Sequence, residues 1–397
     1  MSFSYDVCVV GGGGHVGLPL AITFATRGLS VWIVDRNEAV LGTIASGKMP
    51  FLEVGGDAPL QSVMGKNLWV SSDSEVVGGA RWVVVAAGTP VDEHLNPKLN
   101  QILDLFAELA PKLRNGQCIV LRSTVFPGTT EKVRDLLARA GLDVHVTFCP
   151  ERVAEGRAME ELTTLPQLVA GCDPIGTRLA TELFEKIAPY TIPLGPTEAE
   201  LAKIFTNAWR YIQFATANQF LMIAANYGLD FHRIQSALTR EYPRMAGLPS
   251  SGFAAGPCLF KDTMQLAAAD HHHFWLGHAA MLVNEGLPSF IVRHAKQRYS
   301  LATMTVGILG MAFKANSDDP RESLSYKLRK ALVYEAKEVL CTDVYIQDPS
   351  FASLEVVMQQ ADLLIVGAPH REYKDVEIAA DRPLIDVWNF YRRGVGL

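Results

Sequence analysis

The stretch 251-SGFAAGPCLFKDT-263 places a thiol, Cys258, among small residues, with Lys261 and Asp262 just behind it. A cysteine in a protein core usually sits in an apolar run. Here Gly252, Ala254, Ala255, Gly256 and Pro257 precede it, so other groups can approach closely. A thiol of ordinary acidity is only roughly a few per cent thiolate at neutral pH, and nearby lysines raise that fraction. Cys258 is therefore either a nucleophile or a packing residue. A second set of polar residues lies on one predicted helix, 197-TEAELAKIFTNAWRYIQFATANQFLMIAANYG-228, which contains no proline and ends at a glycine. Lys203, Asn207 and Arg210 stand at i, i+4 and i+7 and share a face. Arg210 reads equally well as part of a solvated stripe. Lys203 and Asn207 suit a crevice between domains, because the helix follows directly on a nucleotide-binding pattern. The run 271-HHH-273 with His278 lacks the spacing of a metal site, and no metal is expected.

These groups need a framework, and the chain begins with one. The stretch 6-DVCVVGGGGHVGLPLAITFATRGLSVWIVDRN-37 reads as strand, glycine turn, helix and strand. Gly12 permits the tight turn, Gly14 lets the backbone approach a pyrophosphate, and Gly17 lets the helix pack on the strand. The anion then sits at the helix N-terminus, beside Val16. Asp35 ends the second strand where a carboxylate accepts ribose hydroxyls. A 2′-phosphate about 4 Å away would be repelled by up to roughly 4 kcal/mol at an effective dielectric near 20, which favours NAD over NADP. Arg36 is the competing feature, since it could accept that phosphate. Further strands, 82-WVVVAAG-88, 118-CIVLRST-124 and 144-VHVTFCPE-151, deliver Thr89 and Pro90, Thr124, and Glu151 to the same crevice.

The C-terminal part repeats the alternation. A strand within 301-LATMTVGILGMAFKANSDDPRES-323 runs into a loop of mixed charge and then a helix. The stretches 361-ADLLIVGAPHREY-373 and 384-LIDVW-388 add strands, so a second parallel sheet is expected. A chain of 397 residues exceeds one core. The predicted division is a dinucleotide-binding Rossmann domain at 1–195, a helical segment with Cys258 at 196–300, and an α/β domain at 301–397. The formal net charge of -6 gives no reason to expect nucleic acid or an anionic membrane as partner. No run is apolar enough to span a bilayer, and no secretory leader is read at the start. Six scattered cysteines without a Cys-x-x-Cys pair suggest reduced thiols and a cytoplasmic protein.

Taken in order, 12-GGGHVGLP-19, 88-GTP-90, 122-RSTVFPGTT-130, 149-CPERVAEG-156, 198-EAELAKIFTNAWR-210, 252-GFAAGPCLFKD-262 and 313-FKANSDDPRES-323 resemble the UDP-glucose/GDP-mannose dehydrogenase family over essentially the whole length. The resemblance implies two α/β domains joined by a long helix that also forms a homodimer interface. It also implies NAD-dependent, four-electron oxidation of the C6 alcohol of a nucleotide sugar. Cys258 becomes the implied nucleophile, passing through a thiohemiacetal and a thioester, with Lys203, Asn207, Lys261 and Asp262 around the reacting carbon. Glu151 is the implied base for thioester hydrolysis, and Lys203 and Asn207 the groups facing the oxyanions. Asp262, with a water shared with Thr124, accepts the first proton. By the same match Glu155, Gly252, Phe313 and Lys314 bind substrate, and Arg321 binds cofactor. Arg244 reaches substrate from a neighbouring subunit. The stretch 149-CPERV-153 is similar to N-acetylhexosamine-type members, whereas 154-AEG-156 and Lys261-Asp262 are similar to the glucose type, so both sugars stay open. The rivals are a two-electron β-hydroxyacid dehydrogenase, which needs no Cys258, and a non-catalytic sensor of NAD or nucleotide sugars.

Overall fold

The computed structural model describes residues 3–88 and 100–397. It divides into two compact units, one up to Thr206 and one from Asn207 to Leu397. The boundary falls inside the long helix Pro196–Asn226.

The first unit is built on β1 (Tyr5–Val10), β2 (Val31–Val34), β3 (Leu68–Ser71), β4 (Ala80–Val85), β5 (Cys118–Leu121), β6 (His145–Phe148), β7 (Gln167–Gly171) and β8 (Thr191–Pro193). Among the described residues they form one sheet in the order β3-β2-β1-β4-β5-β6-β7-β8. The pairs from β3 to β6 are parallel, β7 runs antiparallel to β6, and β8 is parallel to β7. Cores lie on both faces, as the continuous apolar runs of the strands require. The strand order reverses between β1 and β4, so the crevice beyond their C-terminal ends is the expected ligand position. The glycine turn after β1, Thr124 after β5 and Glu151 after β6 all follow such ends.

The second unit holds β9 (Thr305–Leu309), β10 (Glu338–Thr342), β11 (Leu363–Val366) and β12 (Leu384–Ile385), all parallel, in the order β10-β9-β11-β12. Here the order reverses between β9 and β11. The loop after β9 carries Phe313, Lys314 and Arg321, and the loop after β11 carries His370. The helices Leu259–Ala269 and Trp275–Arg298 precede this sheet. Leu287, Phe290 and Ile291 of the second share a core with Val306, Ile308 and Leu328.

The long helix matches its predicted span closely. Gly228 takes φ 69° two residues beyond Asn226 and closes the C-terminus, as its conformational freedom allows. Strands β3, β7, β8 and β10 are additions that the sequence reading does not contain.

Candidate active site

The glycine turn in the first unit has the shape a dinucleotide needs. A Cβ on Gly12 would lie 2.7 Å from the Val9 carbonyl, and one on Gly17 would lie 2.6 Å from the Gly12 Cα. Both positions are closed to side chains. A Cβ on Gly14 would meet nothing nearer than 4.0 Å, which leaves an open approach to the backbone there. The helix Gly17–Thr26 opens after Val16 with no acidic residue in its first turn, so its positive end is unneutralised by its own side chains. Asp35 supports the turn: Oδ2 accepts from Gly13 N at 2.9 Å and Oδ1 from Asn37 N at 3.0 Å. Each oxygen keeps a second acceptor direction for a ribose hydroxyl. Arg36 pairs instead with Glu108 at 2.5 Å on the exposed surface. Thr89 and Pro90 lie outside the described residues. These features fit a bound NAD.

Glu151 is deeply engaged. Its Oε2 accepts from Nε and Nη2 of Arg122 at 3.1 and 2.6 Å, and its Oε1 accepts from the backbone of Arg152 and Val153 at 2.7 and 2.9 Å. All four acceptor directions of the carboxylate are used. Arg122 is itself buried and also donates to the Cys149 and Pro150 carbonyls and to Gln167. Thr124 and Glu155 are half-buried, and Glu155 lies 3.9 Å from His15. Lys203 is half-buried on the long helix. Three residues earlier, Glu200 accepts from Gly128 N, Thr130 N and the Thr130 hydroxyl at 2.5 to 2.8 Å. It thereby anchors the helix carrying Lys203 to the loop that follows Thr124, at the N-terminus of the helix Thr129–Arg139. Burial pushes the Glu200 carboxyl above its ordinary range, against the pull of those hydrogen bonds.

In the second unit Cys258 stands at the N-cap of the helix Leu259–Ala269, at the positive end of its dipole. Of the six cysteines it alone is exposed. Burial pushes the thiols of Cys8 and Cys149 up to about 12 and those of Cys172 and Cys341 up to about 11, and it raises Cys118 as well. One turn into the helix, Asp262 is buried. Its Oδ2 accepts from Asn207 Nδ2 at 2.6 Å, and the Lys261 ammonium lies 3.4 Å from Oδ1. That Oδ1 is buried and makes no hydrogen bond among the described residues, which leaves an acceptor direction unused there. One amide hydrogen of Asn207 is committed to Asp262, which leaves the other for an oxyanion.

The small residues before the cysteine are packed rather than open. Both backbone groups of Gly252 bond to Asn218, and a Cβ there would lie 2.3 Å from the Trp388 ring. A Cβ on Gly256 would lie 2.5 Å from the Phe313 ring. The Gly252 amide thus has a protein partner, and the room around it is filled by an aromatic ring. Phe313 also carries the Lys314 ammonium 5.4 Å from its ring centroid. Arg321 forms a fork with Asp319, through Nε and Nη2 at 2.8 and 2.5 Å. Arg244 is exposed and points along Tyr242. Arg210 is exposed, in agreement with the solvated-stripe reading. His271, His272 and His273 are exposed on the turn between two helices. Sequence reasoning missed Arg122, Glu200 and Asn218. The first two lie inside quoted motifs, whereas Asn218 has only its spacing from Asn207 as a signal.

The glycine turn shaped for a dinucleotide is the part of a dehydrogenase that receives NAD. Family models agree segment by segment. Residues 5–188 match the NAD binding domain of the UDP-glucose/GDP-mannose dehydrogenase family, 197–285 its central domain and 307–393 its UDP binding domain. A UDP-N-acetyl-D-mannosamine dehydrogenase of Pyrococcus horikoshii is 31% identical over 377 residues, covering 91% of this chain and 89% of that one. An NDP-N-acetyl-D-galactosaminuronic acid dehydrogenase of Ralstonia nicotianae is 27% identical, covering 94% and 93%. The solved UDP-D-ManNAc dehydrogenase of Pyrococcus horikoshii superposes with a TM-score of 0.90 at 28% identity, covering 98% and 99%. The chain belongs to the UDP-glucose/GDP-mannose dehydrogenase family, and is an NAD-dependent oxidoreductase of the nucleotide-sugar dehydrogenase type. No helix among the described residues is long and apolar enough to cross a membrane.

Proposed function

We propose that this chain oxidises the C6 alcohol of a UDP-linked sugar to the carboxylate in two successive oxidations at one site, through a thiohemiacetal and a thioester on Cys258. The observation that carries this reading is that Cys258 alone of six cysteines is exposed, one helical turn before the buried Asp262 carboxylate, whose Oδ1 faces the Lys261 ammonium and accepts no hydrogen bond. A simple alcohol dehydrogenase needs no such thiol.

Two molecules of NAD+, bound one after the other, would each accept one hydride, one for each oxidation. Asp262 takes the hydroxyl proton at Oδ1, directly or through a water held with Thr124, as the alcohol becomes the aldehyde. The Cys258 thiolate adds to the aldehyde carbon, forming the C–S bond and an oxyanion that Lys203 and the second Asn207 amide hydrogen stabilise. The second oxidation converts this adduct to the thioester. Water then adds to the thioester carbon, the C–S bond breaks, the thiolate leaves, and Glu151 takes the proton from the water. Glu151 acts in this way only by giving up one of its four hydrogen bonds. Glu155, Lys261, Phe313, Lys314 and Arg244 bind the nucleotide sugar, and Arg321 binds the cofactor.

UDP-N-acetylmannosamine is the first substrate to test, on the strength of the relatives' names. We assign the cofactor domain to 1–195, the helical segment to 196–300 and the nucleotide-sugar domain to 301–397, supported by the three matched segments. The working form is a homodimer through the long helix. Phe205, Trp209, Phe220, Ile223 and Tyr227 are all exposed, and their steps of 4, 11, 3 and 4 residues keep them on one stripe. Reduced, unbridged thiols support a cytoplasmic location.

The test is the count of NADH formed per sugar, with UDP-N-acetylmannosamine, UDP-N-acetylglucosamine, UDP-glucose, GDP-mannose and dTDP-glucose each limiting. Two NADH per sugar is the expected result. One would indicate the two-electron reaction, and none with any sugar would favour a binding-only protein. Cys258→Ala with full activity would sink the thioester route. Glu151→Gln is expected to accumulate a covalent thioester on Cys258, and an unmodified mass after turnover would count against Glu151 as the base.

A further inference from the structure

The long helix carries a second buried asparagine three turns beyond Asn207. Asn218 is 0% exposed. Its Oδ1 accepts from Gly252 N at 2.9 Å, and its Nδ2 donates to the Gly252 carbonyl at 2.9 Å. The other Nδ2 hydrogen goes to Oδ1 of Asn284, also at 2.9 Å. Asn284 is equally buried, and its own Nδ2 donates back to the Tyr211 carbonyl on the long helix at 3.0 Å. The requirement to meet both the N–H and the C=O of Gly252 fixes which way the Asn218 amide faces.

The clamp acts on the segment that delivers the thiol. Gly252 is held from the other side by the Trp388 ring, and Ser251 donates to the Val387 carbonyl at 2.7 Å. Four residues on, Gly256 donates to the Glu322 carbonyl at 3.3 Å under the Phe313 ring. Cys258 follows, and four residues later Asp262 bonds Asn207. Asn207 and Asn218 are eleven residues apart, close to three full turns, so they project from nearly the same face of one helix. One fixes the chain before the thiol and the other fixes it after.

We propose that Asn218 is a positioning residue for Cys258, and that by holding Gly252 it sets where the thiol stands at the head of its helix. Asn218 touches no reacting atom. The inference rests on Cys258 being the nucleophile.

Asn218→Ser is too short to reach Gly252. Asn218→Asp keeps the acceptor for Gly252 N but turns an oxygen toward two other acceptors. Both variants are expected to lose kcat on the order of 10²-fold, the scale of a misplacement of about 1 Å, with KM little changed. The alkylation rate of Cys258 by iodoacetamide, followed by mass, is expected to change tenfold or more with a displaced pH profile. A purely structural role would lower the melting temperature and leave the reactivity of folded molecules at the parent value. NAD binding serves as the check on the first unit. Wild-type kcat and alkylation in a folded Asn218→Ser variant overturn the proposal. Should neither variant fold, hydrogen exchange in the parent decides: the Gly252 amide is expected to be strongly protected, and fast exchange there overturns the clamp. Turnover surviving Cys258→Ala would remove the underlying reading. A dead Cys258→Ala with parent-like Asn218 variants would remove this inference alone.

Discussion

Replacing Arg122 by methionine removes one charge from a buried pair while leaving a side chain of similar length. Arg122 is 1% exposed and gives two hydrogen bonds to Glu151, which is 8% exposed. It also gives bonds to the Cys149 and Pro150 carbonyls and to Gln167 Oε1. The variant strands a buried carboxylate and removes a donor from three further acceptors. Breaking a buried pair from one side costs about 3–5 kcal/mol. For a unit of roughly 200 residues this lowers the melting temperature by about 6–20 °C, at about 2–4 °C per kcal/mol. Glu151→Gln alone strands the guanidinium instead, and a loss of the same order is expected. The double variant carries neither charge, and the glutamine oxygen still accepts from Arg152 and Val153. It is expected to recover at least about 2 kcal/mol relative to the sum of the singles. The assay is thermal unfolding of all four proteins by circular dichroism, reading the transition that bound NAD raises. A loss below about 1 kcal/mol in Arg122→Met, or strict additivity in the double variant, would refute the claim that this pair holds Glu151 in place.

Three further outcomes follow from local geometry. Gly256→Ala puts a methyl 2.5 Å from the Phe313 ring at φ 100°, and is expected to cost about 1–3 kcal/mol from overpacking and to slow alkylation of Cys258; Phe313→Leu in the same chain should relieve part of the loss, and no relief would show that the ring is not the obstacle. Burial holds the His232 imidazole below its ordinary 6.5, with Asp230 and Asp386 pulling the other way. The unfolded chain therefore takes up the proton first, so His232's share of stability is intact above about pH 6.5 and falls on acidification below it; His232→Gln should flatten melting temperature against pH between about 7.5 and 5.5, and parallel curves would contradict this. Trp209→Glu together with Phe220→Glu is expected to convert a dimer to a monomer in sedimentation velocity, whereas a monomeric parent would remove the proposed interface.

The sequence made the periodic and punctuated elements legible. The glycine turn, the strand ends carrying Thr124 and Glu151, and the helix ending before Gly228 all stand where spacing puts them. Strands β7 and β8 were not legible, because a short run such as 167-QLVAG-171 carries no period and owes its state to pairing with distant segments. The residues 252–256 show the limit more sharply. Their small size signals close approach, but the approaching groups are Trp388 and Phe313, 136 and 57 residues further along the chain. Asn218 is hidden for a related reason: two of its three hydrogen bonds go to the backbone of Gly252, 34 residues away, and a backbone leaves no mark on side-chain pattern. The saturation of Glu151 needed the fold as well, since Arg122 reaches it only across neighbouring strands.

The burial of four of the six thiols and the half-burial of Cys172 leave Cys258 as the main point of contact with electrophiles and peroxide. With the others pushed up to about 11 or beyond, none offers an appreciable thiolate near neutrality to resolve an oxidised Cys258. Peroxide should therefore convert Cys258 to a sulfenic acid that waits for a small external thiol or advances to the irreversible acids. One equivalent of a maleimide should silence the enzyme and count its working sites, which makes the loss of activity a direct titration of intact centres. An intact-mass spectrum showing one adduct at full inactivation is the expected result, and two or more adducts before activity is lost would mean that a second thiol competes.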